Sequence, residues 1–433
     1  MNKFLLLSFI LLLLNACSFD TKSGIWTEKK DLVLENTKST QVFAKEEILE
    51  KEFNSKLELT LESKVINNSF ANNLTNNIGR INYDGQLKKI SKYKFSKIDN
   101  FEYYEPELIF DNSNIIFFDK TGSIIKFDSN SDIIWKKNYY NKQEKKLRPV
   151  LTLAKNSETL IVADNISKYY AVDLKNGELL WSKYNQSPIN SQIKTYEDMF
   201  FIIDLNNVLR CLSIKDGKEF WNVKGDNTFI KSQKKLSIII VKDVLYFNDS
   251  AGNITAINIS DGNMLWQTPT QSSTIFEDTF LLRTSHIIAN QEMIVFSNNK
   301  NEFYSLDLIT GNLRWKQNVN SSLQSTIIND LIFSITNEGY LVIIDSRDGN
   351  IVRITDVFSE IKKKQRAKIN PVGFVVAKDN IYLTENNGRL FVIDIKLGKT
   401  KSIIKIDNNK ISKPFILNQN MFLIKDDSII KLD

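Results

Sequence analysis

Short runs of alternating apolar and polar residues, separated by turn residues, make up most of this chain. The clearest example is Ala171–Trp181, which reads AVDLKNGELLW: an alternating strand, the pair Asn176-Gly177 and a second strand. Asn-Gly favours a two-residue β-hairpin turn because both residues tolerate positive φ. The same pattern recurs at Cys211–Trp221, Ala256–Trp266 and Ser305–Trp315. A hairpin that recurs roughly every 40 to 50 residues predicts a repeat architecture of the propeller type.

From about Pro106 the chain divides into units of four short strands. The first five units each carry a tryptophan in their last strand: Trp135, Trp181, Trp221, Trp266 and Trp315. Two weaker copies follow, in which Arg353 and Ser402 occupy the tryptophan position. We expect each tryptophan to be a structural wedge between blades, with its indole N–H bonded to a backbone acceptor.

The two ends of the repeat region complement each other. The final strands, Phe415–Leu417, Met421–Ile424 and Ile429–Leu432, have no fourth strand after them, whereas an unpaired strand follows the Asp84-Gly85 turn. Joining these pieces makes one complete blade and closes a ring, which removes exposed strand edges. The sequence therefore predicts an all-β, eight-bladed β-propeller of four-stranded antiparallel blades, its last blade closed by an N-terminal strand. Seven blades is the alternative count.

The N-terminus has the features of a secretory signal. A basic residue, Lys3, precedes a run from Phe4 to Leu14 that is apolar except for Ser8 and is too short for a bilayer span of about 20 residues. Leu14-Asn15-Ala16-Cys17 resembles the lipobox of bacterial lipoproteins. That resemblance implies cleavage before Cys17 and acylation of this residue, and Ser18 after it favours the outer membrane. Several acyl chains would anchor the protein stably.

These observations predict three regions: a signal peptide over residues 1–16, a lipidated N-terminus and flexible tether over 17–70, and the propeller over 71–433. Within the tether, a pure spacer role and a docking role for Trp26 or Phe43 both remain open. Cys17 and Cys211 are the only cysteines, so an acylated Cys17 would leave no internal disulfide.

Charge and composition narrow the function classes. A formal charge of +6 spread over 433 residues gives no nucleic-acid footprint. His286 is the only histidine, which excludes a histidine-rich metal site. Acids such as Asp173, Asp307, Asp345 and Asp394 recur just before the turn of each repeat, which indicates turn hydrogen bonding and not catalysis.

The repeat itself points to a family. A small residue, then Asp, Asn or Ser, then Gly, with Trp four residues after the Gly, is similar to the pyrroloquinoline-quinone-type propeller repeat. Together with the lipobox, this pattern resembles the BamB lipoproteins of the machine that folds β-barrels into the outer membrane. The resemblance implies a non-catalytic scaffold without cofactor or metal, lipid-anchored at the periplasmic face of the outer membrane. Its implied partners are the periplasmic domains of a BamA-like barrel subunit and unfolded outer-membrane clients.

One segment bears on docking. Phe280-Leu281-Leu282-Arg283 resembles the Leu-x-Leu-Arg segment through which such proteins contact the barrel subunit, with Phe280 and Leu282 as apolar anchors and Arg283 as a polar clamp. The alternative is that Phe280–Leu282 forms a buried first strand. The family's companion acidic pair is missing, since Ser321–Gln324 stands in its place.

Two other functions remain as alternatives. An envelope-anchored propeller that binds sugars or another envelope protein is the first. A quinoprotein dehydrogenase is the second, although that resemblance implies an adjacent cysteine pair, which this chain lacks.

Overall fold

The computed structural model describes residues 49, 51–61, 77–103, 105–225, 232, 234–270 and 283–433, together with the backbone of residues 65–66. Three strands precede the first complete blade: β1 (Val65–Ile66), β2 (Arg80–Ile81), which pairs with β1 in parallel, and β3 (Lys89–Lys94). A 3₁₀ turn at Phe101–Tyr103 follows.

Seven consecutive units of four antiparallel strands come next. Blade one contains β4 (Ile109–Asp111), β5 (Asn114–Phe118), β6 (Ile124–Phe127) and β7 (Ile133–Lys137), followed by helix α1 (Lys142–Lys146). Blade two contains β8 (Leu151–Asn156), β9 (Thr159–Asp164), β10 (Lys168–Asp173) and β11 (Leu179–Tyr184). Blade three contains β12 (Lys194–Tyr196), β13 (Met199–Ile203), β14 (Val208–Ser213) and β15 (Glu219–Lys224). Blade four contains β16 (Ile238–Val241), β17 (Val244–Asn248), β18 (Ile254–Asn258) and β19 (Met264–Thr268).

Blade five contains β20 (Ile288–Ala289), β21 (Met293–Asn298), β22 (Glu302–Asp307) and β23 (Leu313–Gln317). Blade six contains β24 (Thr326–Ile328), β25 (Leu331–Ile335), β26 (Tyr340–Asp345) and β27 (Ile351–Asp356), followed by helix α2 (Lys363–Arg366). Blade seven contains β28 (Pro371–Val376), β29 (Asn380–Glu385), β30 (Arg389–Asp394) and β31 (Thr400–Lys405).

Blade eight is built from both ends of the repeat region. Strands β32 (Phe415–Leu417), β33 (Asn420–Ile424) and β34 (Ser428–Leu432) pair in sequence, and β3 adds antiparallel to β34. The eight-bladed propeller with a composite last blade is therefore confirmed, and the count of seven is wrong.

The lead-in to the closing strand differs from the prediction. Residues 82–88 form no turn at Asp84-Gly85, and the strand begins only at Lys89. Gly85 lies so close to Asp433 that a Cβ on it would stand 2.1 Å from the Asp433 carbonyl oxygen. The glycine is required by this close approach of two backbone segments, and not by a hairpin.

Burial separates the strands of each blade into inner and outer. The first strands of neighbouring blades contact each other around the axis, as β4 and β8 do. The middle strands are buried on both faces, and in β5 every residue from Ile115 to Phe118 is buried. Runs of β-branched and aromatic residues suit such doubly covered strands. The fourth strands are largely exposed.

The hairpin turns are wider than two residues. In the clearest repeat, the backbone N–H of Asp173 donates to the Glu178 carbonyl, so four residues make the loop, and only Gly177 has positive φ, at 71°. The Asp173 carboxylate accepts the backbone N–H groups of Lys175 and Asn176 at 2.8 and 3.0 Å. This side-chain bonding stabilises the wider loop, as the spacing of the acids predicts.

Each of the five repeat tryptophans contacts the turn of the next blade. The turn glycines lie so close to the indole rings that a Cβ on any of them would clash: Gly177 on Trp135, Gly217 on Trp181, Gly262 on Trp221, Gly311 on Trp266 and Gly349 on Trp315. In four of these contacts the indole N–H donates to the carbonyl three residues before the glycine: Leu174, Ile214, Ile259 and Ser346. One contact thus buries an aromatic ring and satisfies a backbone acceptor of the neighbouring blade.

Arg353 makes the equivalent contact in blade six. Its guanidinium lies against Gly398, the turn glycine of blade seven, and donates to the carbonyl of Ile395, at the same place three residues before the glycine. The side chain is fully buried, and it also donates to the Leu57 carbonyl at 2.9 Å. An arginine at the tryptophan position therefore bonds both the next blade and the segment over residues 51–61.

Replacing Gly217 by Ala should destabilise the propeller by about 2 kcal/mol or more. The residue has a φ of 66°, and a Cβ would lie 2.6 Å from the Trp181 ring. Urea unfolding followed by tryptophan fluorescence measures the loss. Lys218→Ala, one residue away and exposed, is the control and should change stability by less than about 0.5 kcal/mol. Equal stability of both variants would contradict the contact.

Candidate functional site

Of the residues proposed for docking and anchoring, only Arg283 lies in the described part of the chain. Cys17 and Phe280, Leu281 and Leu282 fall outside it. Arg283 is exposed, and its backbone N–H donates to the Asn299 side-chain oxygen at 2.7 Å. It precedes β20 and lines the mouth of a funnel at the propeller axis.

The funnel narrows to a small chamber between the innermost strands. The wide part has a volume of about 1150 Å³ and the chamber about 130 Å³. Asparagines from six of the connections between strands line the funnel, among them Asn320, Asn337, Asn386 and Asn408. These side chains present amide donors and acceptors to whatever enters.

Positive charge exceeds negative charge along this axis. Six cationic side chains line the funnel and its chamber: Lys194, Lys234, Lys235, Arg283, Lys410 and Lys413. Three carboxylates do so: Glu102, Glu105 and Glu107. The nearest of these pairs, Lys234 Nζ and Glu105 Oε1, are 3.4 Å apart, and Lys234 also donates to the Ser322 carbonyl at 2.5 Å.

A polar network fixes His286 at the chamber wall. The Gln192 side-chain oxygen accepts from Ser237 Oγ and the Ile238 N–H, both at 3.4 Å. The Gln192 side-chain nitrogen, Nε2, is therefore a donor. It donates to Glu107 Oε1 at 3.1 Å and lies 3.3 Å from His286 Nδ1. Because His286 Nδ1 accepts from this amide, the proton of the neutral imidazole is on Nε2. That Nε2–H is buried and has no hydrogen-bond partner among the described residues.

Burial shifts the titration of this cluster. It lowers the pKa of His286 to about 3, with the neighbouring Lys234 acting in the same direction, so the ring is neutral at pH 7. Burial also lowers the pKa of Lys194 to about 8, against the opposing effect of Glu107. For Glu105, burial raises the pKa, but Lys234 and other cations outweigh it and bring the value to about 2.

The sequence patterns did not predict the polar and charged groups that line the axis. Glu107, Gln192, His286 and Lys413 each stand two residues before the innermost strand of a blade. An alignment of the blade sequences on their first strands would have revealed the polar position two residues before each of these strands. The alignment on the Gly and Trp of the outer hairpin did not reveal this position, because it compares the opposite edge of each blade.

The outer edges of the blades are apolar where the axis is polar. At the start of the fourth strand, blades one to five expose large apolar side chains that are 46 to 55% accessible: Ile133, Ile134, Leu179, Leu180, Phe220, Met264, Leu265 and Leu313. A β-bulge lies at this point in each of these blades, so that Leu179 and Leu180 together face Val172. The bulge presents two consecutive side chains to solvent.

Blade six shows what can occupy such an edge. Phe53 pairs antiparallel with Ile354 of β27, with backbone N–H···O distances of 3.1 and 2.8 Å. Asn54 donates to the Val352 carbonyl, and Leu59 packs into the core of blades six and seven. Among the described strands, none pairs with the outer edges of blades one to five.

Three other features of the described residues bear on function. They contain no group of three or more His, Cys, Asp or Glu side chains arranged to hold a metal. Cys211 is a free, buried thiol, and burial raises its pKa to about 12. Their helices include none with the length and apolar character that a membrane crossing requires.

Comparison with known proteins identifies relatives of the repeat region. The family profile described as outer membrane protein assembly factor BamB matches residues 120–355. The chain is 21% identical over 250 residues to outer membrane protein assembly factor BamB of Moranella endobia (strain PCIT), covering 57% of this chain and 62% of the relative. It is 20% identical over 258 residues to the Escherichia coli (strain K12) protein of the same name, covering 47% and 63%. The matched regions thus span less than two thirds of each relative.

Solved structures show the same fold. BamB from Moraxella catarrhalis superposes with a TM-score of 0.66 at 13% identity, covering 80% of this chain and 99% of that one. A europium-containing methanol dehydrogenase superposes with a TM-score of 0.62 at 12% identity, covering 80% and 87%. At these identities the likeness concerns the fold alone.

Replacing Lys194 by Met should raise the free energy of unfolding at pH 7, by up to about 3 kcal/mol. Below pH 8 the folded chain bears the full cost of the buried ammonium, which Glu107 offsets and Lys413 increases. Between about pH 8 and 10.5 the unfolded chain holds a proton that the folded chain has released, so stability from this group rises with pH.

Urea unfolding of wild type and variant across pH 6 to 10.5 measures the difference. The advantage of Lys194→Met should shrink as the pH rises through this window, and exposed Lys218→Met should show no such trend. A variant that is less stable than wild type at every pH would show that Lys194 is satisfied in the fold.

Proposed function

Because the chain belongs to the family of outer membrane protein assembly factor BamB, we propose that it is a non-catalytic propeller scaffold of the outer-membrane barrel-assembly machinery. The observation that carries this proposal is the family match over residues 120–355. The eight-bladed ring supports it, since such a ring is a rigid platform whose loops and edges are free for partners.

The proposal includes an anchor. Acylation of Cys17 would hold the propeller at the periplasmic face of the outer membrane, with the following residues as the tether. The lipobox Leu14–Cys17 supports this assignment. The segment over residues 51–61 lies along blade six, so it would fix where the tether leaves the propeller.

The docking site that we propose is the connection before blade five. Arg283 is exposed there and stands beside Asn299 at the funnel mouth, where its guanidinium can reach a carboxylate or backbone carbonyl of the barrel subunit. Phe280 and Leu282 are the proposed apolar anchors beside it.

The perimeter suits unfolded clients. A strand destined for a β-barrel has free backbone groups and alternating apolar side chains. Each open edge of blades one to five offers both a backbone ladder and an apolar contact such as Leu179-Leu180. Phe53 on blade six makes this type of pairing within the chain. We therefore include transient edge addition of client strands in the proposed function.

The docking proposal predicts a copurifying partner. A gentle-detergent pulldown of the acylated wild type should retain a large outer-membrane β-barrel protein, and Arg283→Glu should reduce it about tenfold because a charge is reversed at the interface. Arg314→Glu, on the exposed fourth strand of the same blade, is the matched control and should retain the partner.

Retention by all three proteins would leave the assembly role intact but overturn the site. Absence of any barrel protein with wild type would favour a lipid-anchored module that binds another envelope component.

Edge addition predicts a position-dependent crosslink. A photoreactive residue at position 180 should capture an unfolded outer-membrane barrel protein about fivefold better than one at position 401. Both positions precede the tryptophan slot of a fourth strand by one residue and both are exposed, but blade seven has Lys401 where blade two has Leu180. Equal capture at both positions would contradict a role for the apolar edges.

A further inference from the structure

The chamber at the propeller axis has the properties of a built anion site. It is lined by residues in and before the innermost strands, has a volume of about 130 Å³ and adjoins the wider funnel, which shares Glu105, Lys234 and His286 with it. Clustered ammonium groups in so small a volume repel one another, and the repulsion is stronger away from water.

The charges within the cluster do not balance. Lys234 is paired with Glu105, and Lys410 donates to the Glu102 carbonyl. Lys194 is only 6% exposed, and the hydrogen bonds and ion pairs of the described residues include none to its ammonium. Glu107, whose charge acts on Lys194, accepts a hydrogen bond from the Gln192 amide. A buried cation without a hydrogen-bonded partner is costly, which favours a bound anion.

A second, independent group in the wall also lacks its partner. His286 is 7% exposed, and its Nδ1 is used by Gln192. The remaining Nε2–H is a neutral donor, buried and unbonded among the described residues. A single oxygen-rich anion that bonds both Lys194 and His286 would satisfy the two groups together.

The funnel suggests what is attached to that anion. Its mouth is lined by asparagine amides, and Asn337 already bonds Asn320 and Ser322 in a continuous polar rim. Amide side chains both donate and accept, which matches hydroxyl groups of a sugar. The chamber has room for a phosphate group, and the funnel has room for a larger polar body.

We propose that the axis of the propeller binds a phosphorylated sugar, with the phosphate in the chamber against Lys194, Lys413 and His286 and the sugar hydroxyls against the asparagines of the funnel. This site is separate from the outer edges of the blades, so a client strand could bind there while the axis is occupied. Phosphate itself supplies the same anion, and the experiment separates the two sources.

The test uses purified full-chain protein in detergent, in buffer free of phosphate and at constant ionic strength. Isothermal titration calorimetry is carried out with glucose 6-phosphate, with inorganic phosphate and with glucose. We expect saturable binding of glucose 6-phosphate, weaker binding of phosphate and none of glucose. Equal affinity for phosphate and glucose 6-phosphate would support the anion chamber and overturn the sugar subsite.

Two variants locate the site. Lys194→Met should weaken binding of glucose 6-phosphate about tenfold or more, while exposed Lys218→Met should bind as wild type does. Because removal of the buried ammonium should not destabilise the fold, a loss of binding in a variant with a full unfolding transition reports on the site. His286→Phe, which removes the Nε2–H, should also weaken binding.

Absence of saturable binding by any of the three compounds would overturn the proposal. So would an affinity of Lys194→Met equal to that of wild type, since the ligand would then be bound elsewhere on the chain.

Discussion

The contact of an indole ring with the turn of the next blade supports the rest of this structure. A four-stranded blade has two large apolar faces and cannot bury them alone, so each blade is stable only against its neighbours. The ring of Trp181 fills the space over Gly217, and its N–H bonds the carbonyl of Ile214. Because the ring occupies the place of a side chain, the turn residue must be glycine. The ring–glycine contact repeats in five blades and the N–H bond in four of them, which sets the spacing between these blades.

The ring is completed by different means where the tryptophans end. Arg353 uses its planar guanidinium in the same position and reaches the Ile395 carbonyl, which corresponds to the indole acceptor. It also bonds Leu57 of the segment that covers the edge of blade six. In blade eight, β3 pairs with β34, and Tyr83 packs against Tyr382 and donates to the Asp433 carbonyl at 2.5 Å. The N-terminal segments therefore stabilise the blades whose repeats are weakest.

Charged groups and exposed apolar side chains lie at different distances from the propeller axis. Towards the axis, the connections before the first strands bring charged groups together, and their burial makes every unpaired group costly. At the perimeter, the bulges of the fourth strands present apolar side chains at strand edges whose backbone groups are unpaired among the described residues. Such edges are usually blocked in soluble proteins, so the apolar edges of blades one to five support the proposed addition of client strands. A polar ligand and an extended apolar strand would consequently meet different parts of the same rigid ring.

The sequence by itself determined the fold class, the eight blades and the composite closure. These follow from patterns within about ten residues, namely strand alternation, the Asp before the turn and the glycine with its tryptophan, and from their repetition. It also located the acids of the turns correctly. It misjudged the turn length, because the Asp173 carboxylate bonds two backbone N–H groups and widens a loop that Asn-Gly alone would close in two residues.

Only the tertiary structure decided what lies at the axis and at the edges. Lys194, His286 and Lys413 are far apart in sequence and meet because ring closure brings the starts of the innermost strands together. The exposure of Leu179-Leu180 depends on a bulge, which shifts register by one residue and is not visible in composition. The pairing of Phe53 with Ile354 likewise joins residues about 300 positions apart. Local periodicity specifies strands and turns, whereas such long-range contacts are fixed only when the ring is complete.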